Sequence, residues 1–483
     1  MCSSLGRTAP LGNAFNVNWI AQRTGERLPP NNWRCSFGGG SAWEWDEHTE
    51  EYYLHVWATE QPDLNWDNLE TRQAIYASAM EFWLERGVDG FRVDTVNMYS
   101  KPSDMPDAPI IDPKAPYQPA QALYCNGPRI HEYLDEMHAI LSRYDAITVG
   151  ELLYAPNNKC VLDYVSASAR KINMVFQFDP IDICFGKTHK YETTPKNFTL
   201  PDFKAGVNQT QELIRGTDGW TTVFLENHDL PRSVTVFTDD RPQFRVSGAK
   251  LLALLETCLS GTQYIYQGQE IGLVNAPQET YPIEDYRDVS SHLFIDMVKE
   301  RYGANNKEEL DKAFDALQHL ARDHTRLPMP WNGEVRYGGF SEAAEIDGKK
   351  QLKEPWMKPH PLAHEINVAS QLDDPGSVLA FWRQMIRFRQ QHPDLLIYGE
   401  FKDLRPLDKD LFVFIKEDHH HCSDKALVVL NFSTVQQIWE TPSAIELSVS
   451  NEAELVPIMS THPAKAEKGR LAPFEGRVYL VRS

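Results

Sequence analysis

A chain of 483 residues, 42% of them hydrophobic, is long enough for one large domain with an appended module and a sizeable core. Its net charge of -20, from 68 acidic against 48 basic residues, opposes nucleic-acid backbones and anionic membrane surfaces and leaves a small neutral molecule as the expected partner. The seven cysteines are scattered and odd in number, and the first thirty residues hold no basic start followed by an apolar run, so disulfides, zinc and a membrane span are not expected and a cytoplasmic protein is.

Residues 1–60 are rich in Gly, Asn, Pro and Trp without helical periodicity and read as an irregular excursion. From Asp67, a cap with Glu70 three residues on, a helix is expected with Ile75, Ala79, Phe82 and Trp83 on one face, ending at Gly87. A short strand from Val88 to Asp94, a helix around Ile130 to Leu141 and a second strand from Ala146 to Gly150 follow. Further strands are expected over Ile172 to Phe178, Thr221 to Leu225 and Gln263 to Tyr266, with helix between them, as at Ala249 to Leu259. This rhythm implies parallel βα units, about five strands in all, over residues 61–395. After a helix at Val378 to Gln391 the pattern changes to short strands without helices, so residues 396–483 are expected to form an antiparallel module; the run His419-His420-His421-Cys422 reads as an exposed hairpin turn, not a metal site.

Three strand ends carry carboxylates. Gly90-Phe91-Arg92-Val93-Asp94 places Arg92 on the same side as Asp94, where it holds that carboxylate ionised. Val149-Gly150-Glu151 ends the next strand in the same way, and neighbouring parallel strands put the two carboxyls roughly 5 Å apart. That spacing suits a retaining double displacement, with Asp94 as nucleophile and Glu151 as acid/base, its proton retained through the nearby charge of Asp94. Phe224-Leu225-Glu226-Asn227-His228-Asp229 closes a third strand with His228 and Asp229, groups suited to vicinal hydroxyls and to an oxocarbenium-like transition state. All three lie where parallel barrels assemble active sites.

In this order the three segments resemble signature regions of the α-amylase superfamily, glycoside hydrolase family 13. Gln61-Pro62-Asp63-Leu64-Asn65 is similar to the short motif of its oligo-1,6-glucosidase and maltase group; Pro30-Asn31-Asn32-Trp33, the run Tyr264 to Gly272, and Arg322-Asp323-His324-Thr325-Arg326 agree. The resemblance implies an α/β fold, a (β/α)8 TIM-type barrel with a C-terminal antiparallel β-sandwich domain, here lacking about its first three strands. It implies α-glucosidase activity without a cofactor or an assignable metal, Arg326 and Arg322 as glucose contacts, and, through Thr95 after the nucleophile, maltose-like α-1,4 substrates, with sucrose or isomaltose weaker. A barrel so shortened has two open edges, so weak or no turnover is expected. The alternatives are a binding or regulatory relative and a transglycosylase on maltose or sucrose.

Overall fold

The computed structural model describes residues 28–186, 189–194, 196–346, 349–418, 425–443, 446–447, 454–462 and 469–482. Residues 1–27 and the His419–Cys422 run lie outside these.

The irregular reading of the opening segment is corrected. Strands β1 (Trp43–Asp46) and β2 (Glu51–Leu54) form an antiparallel hairpin. With Trp33 and Val56 it shares a core with Met98, Ala108, Ala120 and Tyr124, from the long segment after the next strand. Side-chain hydrogen bonds knit the two together: Asn31 Nδ2 donates to the Met105 carbonyl at 3.1 Å, Asn32 Nδ2 to that of Ala108 at 2.9 Å, and Trp33 Nε1 to that of Pro106 at 2.7 Å. The Asn and Trp that signalled loop therefore make contacts distant in sequence, which no local pattern reveals. Asp63 of the Gln-Pro-Asp-Leu-Asn motif pairs with Lys101 and accepts from the Val56 amide at 2.8 Å, tying the hairpin to the same segment.

Helix α1 (Leu69–Ile75) runs through a π-helical turn at Tyr76–Glu81 to Leu84. Its cap is Asn68, whose side chain accepts from the Glu70 and Thr71 amides; Asp67 instead accepts from Arg129 Nη1 at 2.7 Å and Tyr133 OH at 2.6 Å. The expected apolar face is also wrong. Tyr76, Met80 and Leu84 are buried, while Phe82 and Trp83 are 41% and 49% exposed. The helix turns its Tyr76 side inward because Arg72 and Tyr76 both bind Glu136 of helix α2 (Ile130–Leu141).

Parallel strands β3 (Gly90–Val93), β4 (Ile147–Leu152) and β5 (Met174–Gln177) form one sheet, and β6 (Thr222–Val223) pairs in parallel with β7 (Thr262–Gln263). Between them lie helices α3 (Asn158–Val165), α4 (Leu200–Ile214) and α5 (Arg245–Cys258). Thr222 Oγ1 donates to the Val175 carbonyl at 3.0 Å, joining the two sheets into one barrel arc. Phe176, Phe224 and Tyr264 fill its interior edge to face, with ring centroids 4.8 and 5.0 Å apart. Among the described residues, the outer edges of β3 and β7 carry no hydrogen-bonded strand, and Ile147 and Ile265 beside them are exposed.

Helices α6 (Val289–Tyr302) and α7 (Lys307–Leu320), a hairpin of β8 (Ala343–Ile346) and β9 (Lys349–Leu352), and helix α8 (Val378–Gln391) precede the C-terminal module. There β10 (Glu400–Asp403), β11 (Leu411–Glu417) and β12 (Lys425–Asn431) are followed by β13 (Gln437–Ile438), β14 (Glu454–Ser460), β15 (Arg470–Leu471) and β16 (Gly476–Arg482). The order β10-β11-β12-β16-β14 makes an antiparallel sheet, and β13 pairs with β15. Alternation explains the two-sided packing. Phe412, Phe414, Val428 and Val478 join the barrel core, and Val413, Ile415, Leu427 and Val429 face a second cluster with Trp439 and Leu471.

Candidate active site

The register places the first two carboxylates. Val93 lies opposite Gly150, so Asp94 and Glu151 are the next residues of two adjacent parallel strands. Gly150 is required here: a Cβ would come 2.8 Å from Val96 Cγ1, one turn beyond Asp94. Arg92 reaches both acids, pairing with Asp94 and donating from Nη2 to Glu151 Oε2 at 2.9 Å. Their surroundings differ. The Asp94 side chain is 69% exposed, whereas that of Glu151 is 9% exposed. Burial is the main cause pushing the Glu151 carboxyl upward, with Asp94 and Asp229 adding to it and Arg92 opposing. The Asp94 charge expected to do this is a contributor, not the leading one.

Thr95 has a φ of +40°, a left-handed conformation costly for a β-branched residue. Three hydrogen bonds hold the turn around it: Tyr99 OH to the Asp94 carbonyl at 2.5 Å, the Val96 amide to the Glu151 carbonyl at 2.9 Å, and the Thr95 amide to Glu151 Oε2 at 3.4 Å. Tyr99 is itself stacked on Trp66, 4.4 Å between centroids.

The third carboxylate follows β6. Asp229 Oδ1 accepts from Arg322 Nη1 at 2.7 Å and Arg326 Nη2 at 2.6 Å, and Oδ2 lies 3.0 Å from His228 Nε2. Burial pushes this carboxyl up, but the His228 hydrogen bond and the Arg322 charge outweigh it and hold it well below the usual carboxylate range. Both arginines also bind Asp288 Oδ2, Arg322 Nε at 2.6 Å and Arg326 Nη1 at 2.8 Å. Asp288 was not singled out from the sequence. Its signal was that of a helix cap, a role it does perform by accepting from the Ser290 amide at the start of α6.

These groups open onto a cavity of 620 Å³ lined by Asp94, Thr95, Glu151, His228, Asp229 and Arg326, together with Phe37, Trp57, Gln61 and Trp356. The structure thus brings together every site residue expected from the sequence, with Arg92 as the bridge behind the first pair. The aromatic walls were not legible, because nothing local separates them from core aromatics. A second cavity of 450 Å³ shares Phe37, Trp57, Glu151, Asp229 and Arg322 and adds Tyr154, Phe178, Phe185, Lys190 and Tyr191, but not Asp94. Among the described residues no group of three His, Cys, Asp or Glu side chains is placed to hold a metal ion, and no helix is long and apolar enough to cross a membrane.

The model of the α-amylase catalytic domain matches residues 13–399. The chain belongs to the α-amylase family. Among curated relatives of this α-amylase family member, an α-glucosidase of Candida albicans is 42% identical over 459 residues, 95% of this chain and 76% of that protein. An oligo-1,6-glucosidase of Saccharomyces cerevisiae is 39% identical, covering 94% of this chain and 75% of its own length. Among solved structures, an isomaltulose synthase variant from Erwinia rhapontici NX5 in complex with sucrose superposes with a TM-score of 0.84 at 31% identity, over 99% of this chain and 79% of that one. The family likeness makes the five parallel strands an arc of a TIM-type barrel carrying a C-terminal antiparallel domain.

Proposed function

We propose that this family member is a retaining α-glucosidase that releases terminal glucose from maltose-like α-1,4 glucosides, with Asp94 as nucleophile, Glu151 as acid/base and Asp229 as the third carboxylate. The observation that carries the reading is the Arg92-bridged pair at the ends of adjacent strands: one acid exposed, the other buried with its proton favoured. A pair held this close leaves no room for a water between acid and sugar and suits direct attack. Asp94 would bond to the anomeric carbon as the glycosidic bond breaks and Glu151 passes its proton to the leaving oxygen. Glu151, now a base, would then take a proton from the water that cleaves the ester.

Asp229 and His228 would hold sugar hydroxyls, and the His228 hydrogen bond together with the Arg322 charge keeps Asp229 ionised where positive charge would develop at the ring. Since the second cavity contains the acid/base but not the nucleophile, the leaving group belongs there and the glucose ring in the first. The relatives named α-glucosidase support this substrate class. Thr95 supports the α-1,4 preference only through the family resemblance. The intact carboxylate set speaks against a purely binding protein. The scattered thiols favour a cytoplasmic location, which fractionation of the native host would test.

The test is time-resolved NMR of the hydrolysis of a 4-nitrophenyl α-glucoside, in which all the glucose released comes from the cleaved position. α-Glucose is expected as the first-formed anomer. β-Glucose would sink the double displacement, and no turnover of maltose or of a 4-nitrophenyl α-glucoside would sink the activity.

A further inference from the structure

The turn that carries His228 and Asp229 lies beyond the end of β6, so its carbonyls have no ladder partners and must find donors elsewhere. Three consecutive carbonyls are each taken by a side chain from a distant segment. Arg326 Nε donates to the His228 carbonyl, Lys190 Nζ to that of Asp229 and Thr325 Oγ1 to that of Leu230, each at 2.8 Å. Arg326 and Thr325 belong to the turn that also grips the Asp229 carboxylate. Lys190 alone of the three comes from the segment after β5, whose Phe185 and Tyr191 line the second cavity and whose rings lie 4.9 and 5.8 Å from the ammonium.

We propose that Lys190 is a positioning residue for the third carboxylate: its ammonium pins the Asp229 carbonyl and so joins the wall of the leaving-group cavity to the turn that presents His228 and Asp229. The assignment rests on the α-glucosidase reading for its effect on catalysis, and on the three-carbonyl clamp alone for its effect on the turn. Enclosure, with Arg322 close by, lowers the ammonium to about 8, so the hydrogen bond to the carbonyl offsets part of the desolvation of a charge held at this place. A side chain whose charge is spent on fixing the backbone of a catalytic group acts on turnover more than on binding, because small displacements of a charged group are felt most in the transition state.

The experiment compares wild type, Lys190→Met and Lys190→Arg. It reads kcat and KM on maltose and a 4-nitrophenyl α-glucoside, thermal stability, and amide hydrogen exchange of residues 227–231. Lys190→Met is expected to lower kcat roughly 10²-fold with little change in KM, and to speed exchange within 227–231 but not across the barrel. Lys190→Arg, which keeps a charged donor, should recover most of kcat. Wild-type kcat in Lys190→Met would overturn the proposal. So would a loss shared with global stability and not restored by arginine, which marks a folding role only. Should the wild type itself turn over no glucoside, the functional reading fails, and the exchange data decide alone: unchanged protection at 227–231 overturns the clamp.

Discussion

At the scale of single residues, two acids at the ends of adjacent strands meet different surroundings. Asp94 stands in the open beside Arg92, while Glu151 is enclosed and its carboxyl raised chiefly by burial. A carboxyl whose folded value is raised binds its proton more tightly in the folded state. In the proposed mechanism the first chemical step therefore weakens as pH rises through that value, and the group's share of stability also falls there, since the folded chain then holds the excess proton. We expect Glu151→Gln to lower kcat by about 10²–10⁴-fold on maltose, far less on a 4-nitrophenyl glucoside whose leaving group needs no proton, and to remove the alkaline limb of the pH profile. An alkaline limb that persists in that variant would assign the acid elsewhere. Asp229 is the opposite case. Its depressed carboxyl contributes stability above the ordinary carboxylate range that is lost as pH falls toward the depressed value. His228, Asp229 and the trio Arg-Val-Asp were legible as candidates because acids at strand ends are uncommon unless used. Asp288 and Lys190 were not, since a helix cap and a lysine in a loop look like any others until the fold brings them to Asp229.

At the scale of elements, β3 and β4 position the site through their register, and that register depends on what the strands lack. Gly90 faces the Ile147 carbonyl, where a Cβ would come within 2.0 Å, and Gly150 faces Val96. Gly150→Ala is expected to push Val96, and with it the strained Thr95 turn, away from β4. The cost is about 1–3 kcal/mol of stability, together with a fall in kcat, read from urea denaturation and initial rates; full activity at unchanged stability would show that the turn yields freely. The strands themselves were readable from short apolar runs ending in polar clusters, and helix α8 was placed without error at Val378–Gln391. The face of α1 was misread because exposure of Phe82 and Trp83 depends on which neighbour reaches Arg72 and Tyr76, a matter of tertiary contact.

At the scale of the whole molecule, buried cations that end mostly on carbonyls fasten helix α8 and the C-terminal sheet to the barrel. Arg389 of α8 donates to the carbonyls of Thr257, Leu259 and Gly261, at 2.6, 2.7 and 2.5 Å, just ahead of β7. Lys416 of β11 donates to Ser260 Oγ and to the Gly399 carbonyl, and Lys204 of α4 to the carbonyls of Arg405 and Asp408, at 2.7 Å each. Arg389→Met leaves several buried acceptors without a donor and is expected to cost about 3 kcal/mol or more, with kcat of the folded fraction unchanged. A denaturation midpoint equal to that of wild type would show that water replaces the guanidinium. The same scale explains why the open arc is tolerable locally. Phe176, Phe224 and Tyr264 pack its interior, so the five strands hold a core although the edges of β3 and β7 carry no partner among the described residues.

The amino-acid sequence by itself determined the alternation of helix and strand, the antiparallel ending and the three acids at strand ends, because these depend on periodicity and on residues a few positions apart. Only the tertiary structure decided which acid is buried, which cations surround Asp229, and that the Asn- and Trp-rich opening is a packed hairpin. Those outcomes depend on contacts between segments tens of residues apart, such as Asn32 with Ala108, Lys190 with Asp229 and Arg322 with Asp288, and a pairing across that distance leaves no local trace in one chain.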